Sequence, residues 1–133
     1  MSATNYVKNP LLDYCFGSTL YTPPASYWLG LSTTTIYAAG SGATEPVGYG
    51  YARVEMPNDK ATFYNAVSGC VLNVSAVTFP ISSGSWGTVS YAFLASASAS
   101  GSVLYFTQLP TSKVIQDATV VSYSACALAF SIT

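Results

Sequence analysis

Apolar and polar positions change their spacing once along the chain, near Pro23-Pro24. Before that point the repeat is helical. Asn9-Pro10 supplies a cap and a first-turn proline, Leu11, Leu12, Cys15 and Phe16 share one side, and Gly17 is a stop. A helix over 9–17, about two turns long and docked on the rest of the chain, is predicted. Beyond the prolines the period is two. "YWLGLSTT" (27–34) is rich in strand formers, and "YGYARVEM" (49–56) sets Tyr49, Tyr51, Arg53 and Glu55 opposite Gly50, Ala52, Val54 and Met56. Pro57-Asn58-Asp59-Lys60 reads as a turn into a return strand at 61–67. "GCVLNVSAVTFPIS" (69–82) alternates for most of its length, while 88–99 and 102–109 form a hairpin about "SASG". A turn region at 110–118 leads to one or two last strands in 119–133.

About eight short strands, with turn signals between them and no second helix, predict an all-β fold. The expected form is an antiparallel β-sandwich or jelly-roll-like arrangement with a short N-terminal helix. At 133 residues the chain is expected to be one domain, 1–133, with the helix at 9–17 and the sandwich at 27–133.

Charge changes the picture more than overall composition does. Charged residues are 7 % of the chain, against about 25 % in ordinary soluble domains. Tyr14–Thr44 and Ala61–Ser112 contain none, and net charge is −1. The surface must therefore be built from hydroxyls, amides and tyrosines, and such a surface tends to associate. Lys8, Arg53, Lys60 and Lys113 are scattered, so no basic footprint for nucleic acid is expected. No apolar run approaches the ~20 residues that cross a bilayer. "MSATNYVKNPLL" lacks the pattern of a signal peptide, so synthesis and folding in a cytoplasm are expected. Cys15, Cys70 and Cys126 are odd in number and widely spaced, which is no disulfide framework or zinc site. Cys70 and Cys126 read as small core residues.

Candidate chemistry is sparse. The chain has no histidine, which removes the Ser-His-Asp and Cys-His constellations and the commonest metal ligand. Glu45 and Glu55 are the one pair of carboxylates that could approach for sugar cleavage, and nothing else such a reaction needs gathers near them. No catalytic, cofactor or metal site is expected. "EPVGYGYARVE" (45–55) nevertheless holds three of the nine charged side chains. Its glycine-punctuated turn lets Glu45 and Arg53 meet as a bidentate pair, a structural clasp between a loop and a strand. Tyr49, Tyr51 and Trp86 are candidate contacts for a partner.

The order of "NPLLDYCFG", "YTPPASYWLGLSTT", "EPVGYGYARVEM", "VTFPISSGSWGTVSYAFL" and "GSVLYF" resembles small virion proteins of tailed bacteriophages. That group includes capsid cement (decoration) proteins of cyanobacterial phages and proteins labelled tail-fibre or head-fibre components. The resemblance covers most of positions 9–110, and its more specific parts are the 45–53 stretch and Phe79, Pro80, Trp86 and Gly87. It implies a non-enzymatic structural protein of the virion. The leading expectation is capsid cement on the shell exterior, with the major capsid protein and further copies of itself as partners. The alternative is a tail-fibre or receptor-binding module that recognises a host surface glycan.

Overall fold

The computed structural model describes residues 1–132. The elements, in chain order, are β1 (Ser2–Ala3), α1 (Asn5–Cys15), β2 (Ser26–Ser32), β3 (Val54–Pro57), β4 (Cys70–Leu72), β5 (Val77–Thr78), β6 (Gly87–Ala95), β7 (Val103–Ile115), β8 (Ser122–Tyr123) and β9 (Ala129–Ser131). The protein is predominantly β with one short helix, as its turn spacing predicts. Seven strands form a curled mixed sheet in the order β3-β2-β6-β7-β1-β9-β4, and β5 pairs with β8 in a small second sheet. Every ladder is antiparallel except β1–β9, in which Ser2 pairs with Ser131.

The main core gathers Leu29, Leu31, Met56, Phe79, Trp86 and Leu94 with their neighbours. A smaller cluster of Ile36, Phe93, Ala95 and Val103 forms separately, and Val7 of α1 packs with Ala3 and Leu104. With side chains of both β6 faces covered, the last four residues of β2 and of β6 are all buried. This is the burial expected of central strands rather than of strands with one wet face.

Several local expectations are corrected. The helix starts at Asn5, not Asn9, because Thr4 anchors its first turn. Thr4 is fully buried; its amide bonds to Leu104 O at 2.8 Å, its hydroxyl donates to Val103 O at 2.7 Å, and its carbonyl accepts from Val7 and Lys8. Pro10 then lies inside the helix instead of at its start. The strand expected at 49–56 begins only at Val54, since Gly48, Tyr49 and Gly50 all take positive φ (75°, 52° and 80°) and break the extended alternation. Residues 61–67 form no return strand; β3 pairs with β2 instead. Strand 69–82 is interrupted between β4 and β5. Residues 110–115 continue β7 where a turn was expected, through an irregularity opposite Val89/Tyr91. Cys70 is half-buried and Cys126 exposed, so neither fills the core.

Candidate functional site

β2 ends at Ser32, and the chain leaves the sheet until β3 begins at Val54. This long excursion is closed at its base by Thr33 N–H bonding to Thr44 O at 2.9 Å and Thr44 N–H bonding to the buried Ser32 hydroxyl at 3.0 Å. Glu45 follows directly. Arg53, just ahead of β3, grips it with both edges of the fork: Nε to Oε1 and Nη2 to Oε2, each 2.8 Å. The arginine side chain is 7 % exposed and the glutamate 28 %.

Two further partners complete the arrangement. Arg53 Nη1 donates to Ala97 O at 2.6 Å and Ser100 O at 2.9 Å, so the same guanidinium holds the turn between β6 and β7. The Tyr51 hydroxyl donates to Glu45 Oε1 at 2.8 Å and accepts the Leu31 amide at 2.9 Å. Beyond the last β2–β3 pair, Leu29–Val54, that hydroxyl takes the place of a strand partner for β2. Beneath the guanidinium lies Phe93, with its ring centroid 5.2 Å from Arg53 Cζ. Phe93 in turn covers Gly30, its cross-strand partner, where a Cβ would stand 2.4 Å from the ring. Glycine is required there for close approach rather than for its dihedral freedom.

The electrostatics follow from the contacts. Burial alone raises the Glu45 carboxyl, but the bonds from Arg53 and Tyr51 and the arginine charge outweigh it and hold the group below its usual 4.5. Burial pushes the Tyr51 phenol far above its usual value; the Leu31 amide opposes this and the Glu45 carboxylate adds to it. The bonded carboxylate raises Arg53 further, against burial. A carboxyl held ionised in this way is a poor general acid. Glu55, the other acid considered for sugar cleavage, accepts a bond from Ser26 Oγ at 2.6 Å in a separate setting.

The aromatic candidates separate. Tyr49 is 58 % exposed and its ring lies on Gly84. Tyr51 is half-buried, edge-on to Trp86 with centroids 5.3 Å apart. Trp86 is 3 % exposed and donates its indole N–H to Tyr49 O at 2.9 Å. Its ring therefore offers no face to a partner, contrary to expectation, and serves instead as the post against which the 48–51 turn is set. The sequence reading missed Ala97 and Ser100, which act through backbone carbonyls that no side-chain pattern reveals. It also missed Phe93 and Gly30, whose pairing depends on strand register.

A family model described as podophage GP4 fiber I protein gp80 matches residues 2–131. The chain belongs to this family. The podophage fibre I match spans both ends of the seven-stranded sheet, the 33–53 excursion and every member of the clasp. Fibre I proteins are thus the phage structural family in which the fold and site are to be read. No curated protein matches the chain. Among the described residues there is no group of three or more His, Cys, Asp or Glu able to hold a metal ion, and no helix long and apolar enough to cross a membrane.

Proposed function

We propose that the protein is a subunit of a podophage fibre that works by surface contact and not by catalysis. The observation that carries this reading is the fibre I match over residues 2–131. The family name supports a fibre over capsid cement seated on the major capsid protein. The clasp supports it physically: Arg53 fixes the base of the 33–53 excursion to the sheet, so its exposed Tyr37, Val47 and Tyr49 are carried on a rigid mount. Exposed tyrosines on fixed loops suit recognition of a host surface glycan, stacking on a sugar while their hydroxyls stay wet. Labelling intact virions with gold-tagged antibody fragments against the protein tests the location. Label on fibres is expected; label spread evenly over the shell returns the protein to a cement role.

A further inference from the structure

At the end of α1 the chain presents several large apolar side chains to solvent. Residues 12–20 are all exposed, and within this arm Phe16 is 85 % and Leu20 82 % exposed. The arm is not slack. Its reversal is closed by Phe16 N–H to Leu12 O at 2.8 Å and Thr19 N–H to Asp13 O at 3.1 Å, with Ser18 at φ 55°. A fixed, solvated Phe and Leu are costly to a free monomer.

The same molecule carries a matching recess. A cleft of about 460 Å³ is lined by Leu11 of α1 and by residues of β2, β4, β6, β7 and β9. Four of its walls are aromatic and linked edge to face: Tyr27 on Phe63, Phe63 on Phe130, and Phe130 on Tyr105, at centroid distances of 5.8, 5.7 and 5.8 Å. The Asn58, Asp59 and Lys60 side chains at the rim already have partners, whereas the Tyr27 and Tyr105 hydroxyls make no hydrogen bond among the described residues. Asn58 donates to Pro24 O, Asp59 Oδ1 accepts the Ala61 and Thr62 amides, and Lys60 donates to Tyr64 O. Most of the exposed wall is apolar, so the cleft suits an apolar side chain. Neither Phe16 nor Leu20 lines it in its own molecule.

We propose that Phe16 and Leu20 of one copy seat in the aromatic cleft of a second copy. The arm carries a single charge, Asp13, and the recess it enters is mostly apolar, with Asp59 and Lys60 at its rim. Leu11 and Ile132 border both the cleft and the outer side of α1, so arm and cleft lie on one continuous apolar surface. Each copy can therefore give and receive at once. The nine arm residues and fourteen cleft-lining residues make twenty-three per copy, within the roughly 20–30 residues a side that a specific interface uses. One arm in one cleft falls short of that. This contact stands apart from the fibre reading, since copies in a shell or in solution could make it equally.

Sedimentation of the purified full chain, from micromolar to millimolar concentration, tests the contact. Wild type is expected to associate. Phe16→Ser with Leu20→Ser removes the arm's apolar contacts, and Ala66→Trp fills the cleft from an exposed position; each is expected to weaken association by about tenfold or more. Circular dichroism is expected to show both variants folded, since all three positions are exposed. A wild type that stays monomeric throughout, or an Ala66→Trp variant that associates normally, would overturn the proposal. None of these results bears on where antibody fragments label the virion.

Discussion

Arg53 makes four hydrogen bonds, two to a carboxylate and two to carbonyls of a distant turn, while almost wholly withdrawn from water. Removing it leaves a partly buried carboxylate and two carbonyls to find water or go without. Arg53→Ala is therefore expected to lower unfolding free energy by about 2–3 kcal/mol, read from urea unfolding. Adding Glu45→Ala to that variant should cost little more, whereas additive losses would show that the two side chains act separately. The pair also carries a pH signature. Glu45 holds its proton less tightly when folded than its usual 4.5, so in acid the unfolded chain binds more protons than the folded one. Stability contributed by the pair is present above that value and is lost as pH falls through the lower folded pKa. A Glu45→Gln variant should lose stability less steeply over that acid range.

Long irregular segments in this protein are tied down by small buried polar side chains at strand ends, and Asn73 is the fullest case. It is wholly buried just past β4; its amide donates to Ser75 O at 2.8 Å and Ser124 O at 3.0 Å, and its Oδ1 accepts the Leu128 amide at 2.9 Å. Ser82 does the same for residues 116–119. Asn73→Ala leaves the buried Leu128 amide unmet and takes one bond from each of the Ser75 and Ser124 carbonyls, the latter keeping the Ala127 amide; about 2 kcal/mol of stability should be lost, seen as a lower urea midpoint at unchanged slope. The Asn73-Val74-Ser75 triplet has the form of a glycosylation sequon, yet its acceptor nitrogen is already engaged inside the fold. Such tethers explain where sequence reading succeeds and fails. β2 and β6 are legible because their residues are strand formers bounded by turn signals. The 69–82 run is not, because Asn73 turns its alternation into a break by bonding to residues some fifty positions away. Likewise Glu45 and Arg53 draw notice because charge is scarce, whereas the Ala97 and Ser100 carbonyls that complete the clasp leave no mark in the sequence. At β7, Pro110 and Lys113 looked like turn residues. Lys113 pairs with Val89 of β6, Pro110 lies in the irregularity between Gln108 and Lys113, and among the described residues no strand pairs with 107–115 on the other side. A missing donor and a charge suit such an edge, since both discourage another strand from adding to it.

With net charge −1 and two long stretches free of charge, the molecule has little with which to attract or repel another copy at a distance. Any contact between copies has to come from apolar surface, which the arm and cleft beside α1 are proposed to supply. Raising sodium chloride from about 0.05 M to about 0.5 M should then change the association constant by no more than about twofold, because screening acts only on charges. A tenfold loss over that range, measured by sedimentation, would place ion pairs at the centre of the contact instead. The parallel pairing of β1 with β9 has a consequence in time. Ser2 lies beside Ser131, and β4 joins the sheet only through β9. During synthesis, β2, β6 and β7 can pair while the ribosome is still at work, but one flank of the sheet has to wait until residue 131 has emerged. Until then Ser2 and β4 lack the neighbour that β9 provides, and the cleft wall that Phe130 completes does not exist. The surface proposed to bind a second copy thus cannot form until β9 has been made, later than the β2–β6–β7 pairing it rests against.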